Sequence, residues 1–153
     1  MRFLYETVKE ILRSGRVGVP VFLRCSAQIE SGDEYVEDVL VRILAMSCSW
    51  MEAVPLRVYA QNGKKSKQLT VTAHYVGGQT GIVSVNAAPN VEDSLDLMLL
   101  GNKGALYHDS GSLPPGYDIT NESLPVPEWL MDAVMKSYKT GKPTLIEEVM
   151  DPE

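Results

Sequence analysis

The chain has 153 residues, an ordinary globular share of apolar and charged side chains, and a formal net charge of −6. That is enough material for one compact domain with its own core, spanning residues 1–153. The acidic balance, with no basic cluster beyond Lys64, Lys65 and Lys67, argues against nucleic acid or an anionic membrane as a partner.

No run of about 18 apolar residues is available for a membrane span. The acidic residues of MRFLYETVKE stand where a signal peptide would be apolar, so the expectation is a cytoplasmic protein. Cys25 and Cys48 lie among apolar neighbours, which suits buried free thiols in a reducing compartment better than a disulfide framework.

Leu4, Val8, Ile11 and Leu12 recur at helical spacing, with Arg13 in the last turn and Gly15 where a left-handed cap is wanted. After Gly18-Val19-Pro20, the residues Val21, Leu23, Cys25, Ala27 and Ile29 alternate with Phe22, Arg24, Ser26, Gln28 and Glu30, predicting a strand with one polar face. Ser31 to Glu34 has the form of a capping box, and Val36, Val39, Leu40, Ile43, Leu44, Ser47 and Trp50 then form a helical stripe. The outer side of that helix carries Glu37, Asp38 and Arg42, and the i,i+4 pair Asp38 and Arg42 is expected to be solvated.

Leu56, Val58 and Ala60, then Leu69, Val71, Ala73 and Tyr75, predict two strands joined at Asn62-Gly63, with the three lysines at a solvated hairpin tip. Gly77-Gly78 marks the next reversal. Thr80 to Asp109 then reads as three strands, Thr80–Ala88, Leu95–Leu100 and Ala105–Tyr107, broken at Pro89-Asn90 and at Gly101 to Gly104. In the middle one, Leu95, Leu97 and Leu99 share a face while Met98 and Leu100 occupy the other, so both faces are expected to lose water. Short turns between five or six strands predict an antiparallel meander.

Residues 110–127 are rich in proline, glycine and hydroxyls and predict an irregular excursion. Leu130, Ala133, Val134 and Ser137 then predict a last helix, with Pro127 in its first turn, Gly141 at its end and Pro143 beyond. Thr144 to Val149 suits either an edge strand or an extended arm.

No phosphate-binding glycine motif is present, and Gly77-Gly78 and Gly101/Gly104 lie between strands, where hairpin geometry accounts for them. His74 and His108 sit on different strands without a partner at ligand spacing, and Asp109 would point to the opposite face from His108, so no metal site is expected. No G-x-S-x-G occurs, and no two carboxylates are singled out by spacing.

The succession VKEILRSGRVGVPVFLR, VPLRVYAQ, TVTAHYVGGQTGIVSVNAAP, LMLLGNKGALYHD and PEWLMDAVMKSYKTGKP resembles the C-terminal domain of the Gfo/Idh/MocA family of NAD(P)-dependent sugar and polyol oxidoreductases. The likeness runs over residues 2–149, through order and spacing more than through any one motif. It implies an α+β fold with an open, mostly antiparallel sheet of about six strands and helices on one face. The other face would be used for subunit pairing in a homodimer or higher homo-oligomer, so a second copy would supply the cover that the two-sided apolar strand calls for.

The family's nucleotide-binding domain would precede residue 1, and its glycine-rich loop and E-K-P lysine are not in these residues. No cofactor is therefore expected on this chain, with NAD(P) entering only through a separate Rossmann-domain protein. The family's Asp-x-x-x-His on the long helix aligns with Asp38 and Arg42, or with Val39 and Ile43 if shifted by one. Because arginine stays protonated near neutral pH, no catalytic residue is carried over.

Three readings follow from the resemblance. One is a lone domain without hydride transfer that pairs as a scaffold or regulatory subunit. Another is the substrate half of a split enzyme, and the start Met1-Arg2-Phe3 suits either a short gene or a clean cut. The third is a sugar-like ligand binder using a cleft remnant between the long helix and the sheet's polar edge. Its candidates are Arg24, Gln28, Tyr35, Asp38 and Arg42, residues that solvent exposure also explains.

Overall fold

Alternation in the strand segments and 3.6-residue spacing in the helical ones carry through to the observed elements. The computed structural model describes residues 2–31, 36–65, 67–109 and 124–150. In chain order these are α1 (Arg2–Arg13), β1 (Pro20–Glu30), α2 (Val36–Met51), β2 (Pro55–Asn62), β3 (Lys67–Tyr75), β4 (Thr80–Ala88), β5 (Ser94–Gly101), β6 (Ala105–His108), α3 (Glu128–Thr140), β7 (Thr144–Leu145) and α4 (Glu147–Met150).

The expected α+β class holds, with one open sheet in the order β6-β5-β1-β4-β3-β2-β7. It is mostly antiparallel, and among the described residues only the β1–β4 pairing is parallel. The sheet is not the meander that the turn lengths predicted: β1 lies between β4 and β5, so residues 89–93 step over a strand instead of closing a hairpin. The insertion places β1 in the middle of the sheet, where Leu23, Cys25, Ala27 and Ile29 are all buried, as a strand flanked on both sides should be. Of the two options for the tail Thr144 to Val149, the edge strand holds for Thr144–Leu145 on β2, and a helical turn, Glu147–Met150, stands where an extended arm was the alternative.

α2 lies across β1, β4 and β3, α3 covers β2 and β7, and α1 leans on α2. The stripe Val36, Val39, Leu40, Ile43, Leu44, Ser47 and Trp50 is buried as expected, and Val41, Ala45 and Met46 are buried as well. The helix is therefore covered on more than one side. Glu37, Asp38 and Arg42 are half-buried where full solvation was expected. Trp50 joins the two N-terminal helices, its ring 6.3 Å from that of Tyr5 and its Nε1–H donating to the Tyr5 carbonyl.

Two inward assignments fail for one shared reason. Val21 and Leu56 were expected inside, yet each is 44 % exposed. Both follow a proline at a strand start, and the pairing slips between Pro20 and Phe22 and between Pro55 and Arg57. A bulge adds one residue and resets the two-residue period, and proline, lacking an N–H, suits such a place.

Gly15 and Gly141 end their helices with φ of +77° and +65°, as their positions predicted. Pro127 caps α3 from outside its first turn. The Ser31 backbone N–H donates to the Ala88 carbonyl and prolongs the sheet. The rest of the expected capping box, residues 32–34, lies outside the described residues, as do residues 110–123 of the excursion. None of the helices is long and apolar enough to cross a membrane, among the described residues.

Candidate functional site

The helices use one face of the sheet, so the side chains pointing the other way define the surface with most freedom to act. Strand pairing sorts them into rows. At one end Leu100, Phe22, Thr80 and His74 stand side by side, and the next row runs Tyr107, Met98, Arg24, Ile82, Thr72 and Tyr59. Beyond these come Asp96, Ser26, Ser84, Thr70 and Gln61, then Ser94, Gln28, Asn86 and Gln68. The face is thus divided into an apolar corner on β6, β5 and β1 reaching to Ile82 on β4, and a hydroxyl and amide half toward the other strand ends.

Met98, Leu100, Phe22 and Ile82 are half-buried, and Tyr107 is 71 % exposed. Both faces of β5 were expected to lose water. Only the side bearing Leu95, Leu97 and Leu99 does so fully, while Met98 and Leu100 on the other side stay half-buried. In the polar half, Gln68 Nε2 donates to Thr70 Oγ1 at 3.0 Å and to Ser84 Oγ at 3.4 Å, and Thr70 and Ser84 share a hydroxyl contact of 2.8 Å.

The expected cleft residues do not gather. Arg24 and Gln28 alternate with the buried residues of β1 and so lie on the open face. Asp38 and Arg42 belong to α2, which packs on the opposite face. The sheet separates the two pairs, and Tyr35 lies outside the described residues. The signal was already in the sequence: the alternation that put Leu23 under the helices puts Arg24 on the far side.

A concavity of about 250 Å³ opens at the C-terminal end of α2 between Leu12, Val19, Pro20, Met51, Glu52 and Gln79. Its walls mix the apolar side chains of Leu12, Val19, Pro20 and Met51 with Glu52, Gln79 and backbone polar groups in about equal measure, and no His or Cys lines it. Burial pushes the Cys25 thiol up to about 12, aided by the Asp96 carboxylate. Burial also raises Cys48 to about 11, against a hydrogen bond from Tyr75. Both thiols are protonated at neutral pH and poor nucleophiles. Among the described residues no three of His, Cys, Asp and Glu gather as metal ligands would.

No family model matches the sequence and no curated protein matches it. Solved structures do share the fold. A protein termed a probable dehydrogenase from Thermotoga maritima has a TM-score of 0.69 at 13 % identity, over 94 % of this chain and 62 % of that one. Myo-inositol 2-dehydrogenase from Lactobacillus plantarum has a TM-score of 0.71 at 10 % identity, over 92 % and 61 %. Scyllo-inositol dehydrogenase from Lactobacillus casei, solved with NAD(H) and scyllo-inositol, has a TM-score of 0.67 at 8 % identity, over 94 % and 61 %. At these identities the likeness is one of fold, and the chain spans about three-fifths of the length of these dehydrogenases.

Proposed function

We propose that this chain is a Gfo/Idh/MocA-type C-terminal domain that works by pairing with a second copy through its open sheet face, as a scaffold or regulatory module, and does not transfer hydride alone. One observation carries the reading. The described helices all pack on one face, leaving Phe22, Ile82, Met98, Leu100 and Tyr107 on the other with nothing among the described residues packed over them.

The dimensions suit a partner of the same shape. Six strands at about 4.8 Å spacing, each about eight residues long at about 3.3 Å, make a face of roughly 750 Å². A standard stable interface buries about 800 Å² per partner. The fold likeness to inositol dehydrogenases supports the family reading. In either register that the resemblance allows, Arg42 or Ile43 falls where the family carries a histidine, and neither can take up a proton as imidazole does, which supports the non-catalytic one.

Light scattering coupled to gel filtration tests the pairing. The expected result is a dimer or larger assembly that Ile82→Lys converts to a monomer with unchanged circular dichroism. A monomeric parent chain at micromolar concentration would overturn it.

The fold likeness to inositol dehydrogenases supports a second reading as well, the substrate half of a split sugar or polyol oxidoreductase. Its signature would be NAD(P)-dependent polyol oxidation on adding a separate Rossmann-domain protein. Saturable NADH binding by this chain alone would refute both the split and the non-catalytic readings.

A further inference from the structure

The hollow at the C-terminal end of α2 is separate from the open sheet face and from Asp38 and Arg42, which stand in the first two turns of the same helix. Both N-terminal helices finish there. Leu12 belongs to the last turn of α1 and Met51 closes α2, and the last carbonyls of a helix carry partial negative charge past its end.

Glu52 adds a full charge. Its side chain is exposed at the wall of the hollow, and among the described residues it has no ion pair. Lys9, which reaches this end of the helix, donates to the Ser49 carbonyl at 3.0 Å. Glu52 also holds a left-handed φ of +53°, where glycine would sit without strain.

Gln79 closes the hollow from the turn before β4, its side chain folded over Gly77, where a Cβ would collide with Oε1. That oxygen is buried and accepts no hydrogen bond among the described residues, although a buried carbonyl oxygen ordinarily finds a donor. Helix ends, carboxylate and amide oxygen all call for a donor, and a positively charged one makes the stronger bonds. A hard metal ion would want about six oxygen ligands, whereas the wall sets Glu52 among the apolar side chains of Leu12, Val19, Pro20 and Met51, with Val19 59 % exposed.

We propose that the hollow is a binding site for a small organic cation, a primary ammonium group on a short apolar body. The ammonium donates to the Glu52 carboxylate and, once the amide swings off Gly77, to Gln79 Oε1, while the body covers Val19, Pro20 and Met51. Water takes about 30 Å³ per molecule in the liquid, so a hollow of about 250 Å³ holds a ligand of about eight non-hydrogen atoms.

Pentylammonium is the probe, with pentanol and pentanoate as bodies of the same length bearing no charge and the opposite charge. Each is titrated at pH 7 into the isotope-labelled chain while the backbone amide signals of Gly18, Val19, Ala53 and Gln79 are followed by NMR. A ligand of about six non-hydrogen atoms is expected to bind in the millimolar range.

The expected result is a saturable shift of these signals with pentylammonium, and affinities for pentanol and pentanoate about ten-fold lower or less. Glu52→Gln should weaken pentylammonium binding by about ten-fold with unchanged circular dichroism. Glu52→Gly, which relieves the backbone strain, should lose the probe to the same extent. Pentanol or pentanoate binding there as tightly as pentylammonium, an unchanged affinity in Glu52→Gln, or no saturable shift up to tens of millimolar overturns the site. None of these outcomes depends on whether the chain pairs.

Discussion

The side-chain oxygen of Asn102 accepts the backbone N–H of Val19 at 2.9 Å, across 83 positions of sequence. The Asn102 N–H returns a bond to the Val19 carbonyl at 3.0 Å, and the Lys103 N–H bonds the Val17 carbonyl. The turn between β5 and β6 thus clasps the link from α1 to β1. Gly101 makes the close approach possible, since a Cβ there would collide with the Val17 carbonyl oxygen. Asn102→Ala is expected to lower stability by about 1–2 kcal/mol, read as a urea midpoint shift at constant slope. Gly101→Ala should cost more, because backbone must move on both sides.

Glu52 ends α2 in the left-handed conformation, φ +53°, with its N–H on the Ser49 carbonyl and the Ala53 N–H on the Cys48 carbonyl. That is a Schellman ending with a carboxylate where glycine is favoured. The residue carries backbone strain and a negative charge at the negative end of the helix dipole. Glu52→Gly should therefore stabilise the chain by about 0.5–1 kcal/mol, the relief exceeding the added freedom of the unfolded chain. A lower melting temperature for this variant would contradict the argument.

Ser137 is fully buried in α3. Its hydroxyl accepts the Ala60 N–H at 2.9 Å and donates to the Lys142 carbonyl at 2.6 Å. β7 pairs with β2 only at Arg57 and Val58, so the Ser137 side chain takes over where the edge strand stops. Ser137→Ala leaves a buried N–H and a carbonyl unpaired and should cost about 1–3 kcal/mol. Amide exchange at Ala60 should speed up by more than exchange at Val71.

The helical stripes were legible because each residue's fate depends on a few neighbours in sequence. Leu130, Ala133, Val134 and Ser137 are all buried in α3 as their spacing required. Strand faces were legible wherever the period was uninterrupted, as from Leu69 to Tyr75. What the sequence hid was non-local. The insertion of β1 between β4 and β5 is decided by competition among strands for central burial, and the grip of Asn102 on Val19 joins segments that no short-range pattern connects. The candidate cleft is a different matter: it groups Arg24 and Asp38 by chemistry, whereas strand alternation puts Arg24 on the face away from α2, which carries Asp38.

Alkaline pH offers a readout of the core. The thiols of Cys25 and Cys48 are raised from the ordinary 9.0 to about 12 and about 11, chiefly by burial. The hydroxyl of Tyr75, which donates to Cys48 Sγ, is raised as well. Above pH 9 the unfolded chain releases thiol protons that the folded chain retains, so the folded state binds more protons and stability falls with rising pH. The contribution is intact below pH 9 and is lost progressively as pH climbs toward 11–12. By pH 10 each thiol should have cost about 1.4 kcal/mol relative to pH 8. The comparison is of urea midpoints at pH 8 and pH 10 for the parent chain and for Cys25→Ala. The variant should start less stable, through its cavity, and decline less steeply. An equal decline in both would mean that the Cys25 thiol ionises as readily inside the protein as outside, and that the centre of β1 is wetter than its burial shows.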